Sequence, residues 1–213
     1  MTRPSPPGVV YLLDDEPEMV KALTRLLQAK RFEVRAFTSV RAFLEAPRPE
    51  ENACLVLDVA MPELDGLELQ RCLTHQGILI PIIFLTGHGD IPMSVRAIKA
   101  GATDFLTKPV DSAVLLRAVR AALQLAETRH QALAETAALK ARLAALTPRE
   151  REVMQHVVSG QLNKQIAAEL GTGEQNIKLH RAHIMKKMGV ESLADLVRAA
   201  ERLGVGKPGI GNQ

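Results

Sequence analysis

Four apolar runs in the first half of the chain each end on a residue able to handle phosphate or metal. "CLVL" (54–57) ends on Asp58, and "VVYLL" (9–13) is followed by Asp14, Asp15 and Glu16. "PIIFL" (81–85) is followed by Thr86, and "DFLT" (104–107) by Lys108 and Pro109. Carboxylates crowded at one place repel each other and hold protons more tightly. A divalent cation among them reverses that cost, and an oxygen-only set of few carboxylates suits Mg2+. A lysine and a hydroxyl beside the metal would face an anion. The set therefore describes a phosphoryl-transfer site with Asp58 as nucleophile. Thr86-Gly87-His88-Gly89 lacks the following Gly-Lys of a P-loop, so the phosphate is not cradled by a glycine loop.

For these residues to meet, the runs must be neighbouring strands. "VVYLL" (9–13), "FEVRAF" (32–37), "ACLVLD" (53–58), "IPIIFLT" (80–86) and "TDFLT" (103–107) read as strands, with helical patterns near 17–30, 39–46, 66–75 and 91–100. This alternation predicts an α/β doubly wound, five-stranded parallel sheet covered on both faces. Its ligand site lies beyond the carboxyl ends of the central strands. From Asp111 to Leu146 there is no Gly or Pro, and the Ala/Leu-rich composition predicts a long connector helix. Heptad-like positions Leu116, Val119, Leu123, Ala126 and Leu133 leave a coiled-coil pairing open, although His130 and Lys140 interrupt the seam. The last third is an all-α domain of four helices. Thr147, Pro148 and Glu150 make a capping box before Val153, Met154, Val157 and Val158. Asn163 is placed as the cap of a second helix that runs through Leu170 and is stopped by Gly171, and a third runs from Glu174 to Met188. Ser192 starts a fourth, with Leu193, Leu196, Val197, Ala200 and Leu203 facing inward.

The acidic pair Asp14-Asp15, "LDVAMPELDG", "LTGHGD" and "AIKAGATDFLTKP" occur in the order and spacing of a receiver domain. The first 125 residues resemble the receiver domains of two-component response regulators. The resemblance implies that Asp58 accepts phosphate from a phosphohistidine of a sensor histidine kinase. It implies Mg2+ held by Asp15, Asp58 and the backbone carbonyl of Ala60, with Asp14 acting mainly through water. Lys108 would pair with the phosphoryl oxygens, Pro109 would follow a cis bond, and Thr86 and Phe105 would move as the switch. Ala60 and His88 stand where the family tunes phosphate lifetime. The face around helix 91–100 and strand 103–107, with Val95, Ile98, Lys99 and Asp104, would form the homodimer on phosphorylation.

The stretch 146–203 resembles the helix-turn-helix DNA-binding domain of the NarL/LuxR type, and the whole layout is similar to FixJ-type regulators. The helix 174–188 would then enter the major groove of double-stranded promoter DNA. Ile177, Ile184 and Met188 recur at helical spacing and are expected in the core, leaving Gln175, Lys178, Leu179, Ala182 and Lys186 outward. Lys178 and Leu179 occupy base-reading positions of the family. Lys164, Arg181, Lys186 and Lys187 are candidates for phosphates. The turn "GTGEQN" (171–176) departs from the family's usual pattern, and the amides of Gln175 and Asn176 suit adenine edges. RNA polymerase is the further partner that the resemblance implies, and the role is that of a regulator, not an enzyme.

Bulk properties agree with this division. The chain has 213 residues and net charge +3. From Arg149 onward, ten Lys and Arg stand against seven Asp and Glu, while the first 148 residues carry seventeen of each. The basic surplus thus sits in the last third, where nucleic acid would bind. No apolar stretch reaches the ~20 residues of a membrane span, and "MTRPSPPG" has no signal-peptide core. A cytoplasmic location is expected, with Cys54 and Cys72 as two buried thiols in a reducing compartment. The expected boundaries are receiver 1–125, connector 126–145, DNA-binding domain 146–206 and a loose tail 207–213. Two rivals stay open. An aspartyl-phosphate phosphatase would need a second acid where Ala60 stands, and a phosphorylation-independent DNA-binding protein would bind DNA equally with and without phosphate.

Overall fold

The computed structural model describes residues 8–47, 52–62, 64–87 and 101–205. Strands β1 (Val9–Leu13), β3 (Ala53–Asp58) and β4 (Ile82–Thr86) are buried at every position. Such unbroken apolar runs are what strands covered on both faces require. The flanking strands β2 (Glu33–Phe37) and β5 (Asp104–Thr107) are more exposed. All pairs are parallel, and the strand order is β2-β1-β3-β4-β5. The order reverses between β1 and β3, which opens a crevice beyond their carboxyl ends.

Successive residues along each central strand serve opposite faces. Tyr11, Leu13, Leu55, Leu57 and Phe84 pack with α2 (Val40–Glu45) and α3 (Gly66–His75). Val10, Leu12, Val56, Ile83 and Leu85 pack with α1 (Pro17–Ala29) and the first half of α4 (Ser112–Ala144). This is the expected doubly wound sheet. The helix expected at 91–100, with Val95, Ile98 and Lys99, and the loop residue His88 lie outside the described residues, as does the tail 207–213.

The chain divides into two compact units between His130 and Gln131, inside α4. Leu116, Val119 and Leu123 pack in the first unit against its sheet, and Ala126 is buried. Four of the five heptad-like positions are therefore consumed by intramolecular packing, and of that seam only Leu133 is exposed. The rest of α4 belongs to the second unit, where Leu139 and Leu143 pack on the core and Leu146 is buried.

The second unit continues with α5 (Pro148–Val158), α6 (Asn163–Glu169), α7 (Glu174–Met188) and α8 (Leu193–Leu203). Its core is Val153, Met154, Val157, Ile166, Ile177, Ile184, Met188, Leu196, Ala199 and Ala200. The capping box forms as expected: Thr147 Oγ1 accepts from the Glu150 N–H at 3.2 Å, and Glu150 Oε2 accepts from the Thr147 N–H at 2.8 Å. Glu150 also pairs with Lys187 at 2.6 Å.

Three expectations need correction. Asn163 does not cap α6; Leu162 occupies that position, and its N–H is satisfied by Gln165 Oε1 at 2.8 Å. Asn163 is the first helical residue and accepts from Arg181 instead. Leu193 is exposed, because α8 turns Leu196, Ala199 and Ala200 inward. Cys72 is exposed on α3, whose inward face is filled by Leu69 and Leu73. Cys54 is buried, and burial pushes its thiol up to about 12, well away from reactive thiolate.

The Lys187 bond, the Thr147 backbone and the Thr147 hydroxyl hold the Glu150 carboxyl down at about 2, against a desolvation that works the other way. A depressed carboxyl adds stability above its unfolded value of 4.5 and loses it as pH falls toward 2. Wild type should therefore melt above Glu150→Gln at pH 7, by the equivalent of about 1 kcal/mol for charge-assisted bonds. Calorimetry repeated at successively lower pH should show the gap closing across that window.

Candidate functional site

The reversal of strand order brings the polar ends of β1, β3, β4 and β5 together at one rim. Carboxylate oxygens of Asp14, Asp15 and Asp58 all lie within 4.8 Å of one another. Asp14 and Asp58 are buried, and Asp15 is half-buried. Lys108, carried past the end of β5, places Nζ 2.8 Å from Asp14 Oδ2, 3.3 Å from Asp58 Oδ2 and 3.5 Å from Glu16 Oε1. The Lys108–Pro109 peptide bond is cis. The Lys108 N–H donates to the Thr86 carbonyl at 2.6 Å, tying the lysine to the end of β4. Thr86 is buried, and Phe105 lies against Phe84 with ring centroids 6.4 Å apart.

A single lysine does not balance this many carboxylates. Burial pushes the Asp58 carboxyl above its ordinary value; Lys108 opposes the shift and the charge of Asp14 adds to it. For Lys108, burial works to lower the affinity for its proton, but Asp14 and Asp58 outweigh it, and the net shift is upward. Asp58 Oδ1 is buried and has no hydrogen-bond partner among the described residues. An orphaned buried carboxylate oxygen is costly unless something outside the chain meets it. The donor set, oxygen-only and net anionic, fits a small hard divalent cation.

Gly66 is part of the same construction. A Cβ there would stand 2.7 Å from the Asp58 carbonyl oxygen and 3.2 Å from Val59 Cα. Only glycine lets α3 begin this close to the end of β3, with Asp65 Oδ1 accepting from the Leu67 N–H at 2.9 Å.

In the second unit, α7 buries Ile177, Ile184 and Met188 and exposes Gln175, Asn176, Lys178, Leu179, Ala182 and Lys186. Lys164 is exposed on α6. Leu179, a large apolar side chain, is 56% exposed on this face. Two neighbouring cations are committed within the unit. Arg181 donates to Asn163 Oδ1 at 2.9 Å, and Lys187 pairs with the buried Glu150.

Two segments of the chain match known families. Residues 10–120 match the response regulator receiver domain, and residues 144–200 match the bacterial regulatory proteins of the luxR family. Nodulation protein W of Bradyrhizobium diazoefficiens is 48% identical over 204 residues, covering 96% of this chain and 90% of its own. The chain is a response regulator. The transcriptional regulatory protein FixJ of the same species is 40% identical over 198 residues, covering 93% and 97% of the two chains. The solved structure of the response regulator StyR superposes with a TM-score of 0.82 at 46% identity, covering 91% and 98%.

The response regulator thus combines a receiver domain with a luxR-family DNA-binding domain. In its receiver domain the five residues singled out by type, Asp14, Asp15, Asp58, Thr86 and Lys108, lie at the ends of neighbouring strands or just beyond them. Glu16, the third acid after β1, is a further partner of Lys108, although its side chain is largely exposed. Of the residues placed at the dimer face, Asp104 is described: it is half-buried on β5, and its Oδ1 accepts from the Phe105 N–H. Among the described residues, no helix is long and apolar enough to cross a membrane.

Proposed function

We propose that the regulator is switched by phosphorylation of Asp58. The observation that carries this reading is the buried, partnerless Oδ1 of Asp58, set among Asp14, Asp15 and Lys108 at the strand-order reversal. An Asp58 oxygen attacks the phosphorus of a kinase phosphohistidine, the P–N bond breaks, and the imidazole leaves with the electron pair. Asp15, Asp58 and the Ala60 carbonyl would hold Mg2+, with Asp14 as a supporting acid beside them. The metal, when bound, supplies charge neutralisation for the entering phosphoryl group. Lys108 is already seated within ion-pair reach of Asp58, and it exchanges carboxylate partners for phosphoryl oxygens. Thr86 moves its hydroxyl toward the new anion, and Phe105 turns inward to fill the space vacated.

The added charge, close to two units, shifts a two-state equilibrium toward a homodimer. Its face comprises Asp104 together with Val95, Ile98 and Lys99, which lie outside the described residues. A dimer presents two copies of α7 to paired half-sites of promoter DNA. Gln175, Asn176, Lys178, Leu179 and Ala182 read bases; Lys164 and Lys186 hold phosphates, and Arg181 does so only after leaving Asn163. RNA polymerase is the downstream partner, and the cytoplasm the site of action. We take residues 1–125 as receiver, 126–145 as connector, 146–206 as output domain and 207–213 as tail.

The test is DNA binding by the full chain with and without acetyl phosphate in Mg2+. Phosphate should raise affinity about 5- to 150-fold, the usual range of coupling between sites. Equal affinity in the two conditions would return the reading to a phosphorylation-independent DNA-binding protein.

A further inference from the structure

We propose that Arg142 is a positioning residue for sequence reading by α7. This rests on the DNA-binding role of α7 given above. Arg142 lies in the last turn of α4, before the segment matched by the luxR family. Its Nη1 donates to the Met188 carbonyl at 3.0 Å, across 46 residues of sequence. Met188 is the last residue of α7, so the bond satisfies a carbonyl that the helix itself leaves open. The guanidinium charge also sits at the negative end of the helix dipole.

The geometry at that end is made for this contact. Gly189 follows α7 in the left-handed region, φ 64 and ψ 43. A Cβ there would stand 2.6 Å from Arg142 Nη1 and 3.0 Å from Cζ. Glycine therefore suits the left-handed backbone turn and leaves open the space that the guanidinium fills. At the other end of α7, Gly173 at the N-cap supplies no side-chain bond, and the first turn is tied only locally, by Asn176 Nδ2 donating to Thr172 Oγ1 at 3.1 Å. Arg181 and Lys187 anchor α7 sideways to α6 and α5 through Asn163 and Glu150. Arg142 engages its terminal carbonyl, where axial sliding and tilt are resisted. Leu139 and Leu143 seat the same turns of α4 on the core, so the clamp is carried by a rigid element.

Base contacts depend on small displacements of α7, whereas phosphate contacts by exposed lysines tolerate them. Losing Arg142 should therefore weaken specific binding more than non-specific binding. The probe is a duplex selected by the full-length wild type, with acetyl phosphate and Mg2+, from a randomised pool. A scrambled duplex of equal length is the reference. Arg142→Gln should bind the selected duplex about tenfold more weakly, of the order of one lost base contact, and the scrambled duplex within about twofold. Arg142→Lys, which can still donate to the carbonyl, should recover most of the difference. Glu135→Gln breaks the pair with Arg202 at 3.0 Å and leaves α7 untouched, so it should match wild type on both duplexes. All binding is measured below the melting transition of every variant, which removes loss of fold as a cause. Equal losses on both duplexes, no loss at all, or a Lys variant as weak as the Gln variant would each overturn the assignment. A wild type that enriches no duplex defeats the DNA-reading role itself, and the Arg142 role with it, before any variant is compared.

Discussion

Asp58→Asn should abolish both acetyl phosphate labelling and the phosphate-dependent rise in DNA affinity, while unstimulated binding stays at the wild-type level. The amide keeps the shape of the side chain and removes the nucleophilic carboxylate, so the chemistry is lost without a cavity. The stability of this variant has a definite sign. Burial and the charge of Asp14 raise the Asp58 carboxyl in the folded protein, with Lys108 only partly opposing them. A raised carboxyl is best tolerated when protonated, so its ionisation costs stability as pH rises past the unfolded value of 3.8. At pH 7 and without divalent cations, Asp58→Asn should melt above wild type, and that advantage should close in acid. Mg2+ should stabilise it less than wild type, because one ligand of the cluster is gone. Labelling that survives in Asp58→Asn would move the phosphoryl acceptor to another residue.

Lys108→Ala should have the largest effect on stability. Asp14 is fully buried, and Lys108 is its ion-pair partner at 2.8 Å. Removing one partner of a buried pair leaves an uncompensated charge, at a cost of about 3–5 kcal/mol. The raised Lys108 stays protonated until well above neutral pH, so this contribution is fully present at pH 7 and fades only as pH climbs beyond 10.5. With the lysine gone, the cluster has no cation of its own, and added Mg2+ should recover much of the loss through binding to the folded state. The measurement is melting temperature in chelator and in saturating Mg2+, where the variant should gain more than wild type. Asp58 should still accept phosphate, yet DNA affinity should not follow, since the group that senses the new charge is missing. A variant as stable as wild type in chelator would contradict the buried-charge account of the rim.

Much of the rim was legible because it depends on strand ends. Unbroken apolar runs identify β1, β3 and β4, and parallel strands of one sheet must deliver their last residues to the same edge. Asp14, Asp58, Thr86 and Lys108 follow from that alone. The finer partnerships were not legible, since they join residues distant in sequence. Lys108 meets Glu16 across 92 residues, and Arg142 meets Met188 across 46. Asn163 shows the same limit at short range: its type suits a helix cap, but a tertiary bond to Arg181 claims it. Leu193 reads as inward from the helical pattern and Cys72 from its type, whereas the packed faces of α8 and α3 are set by which side meets the core.

The boundary between the two units, falling inside α4, bears on how such proteins are recombined. A chimera joined at Ala144, where the family segment begins, would sever the output module from Leu139, Arg142 and Leu143, and so from part of its own foundation. A junction at Gln131 keeps those turns with the helices they support. The natural unit of exchange therefore extends about four helical turns upstream of the family's own borders.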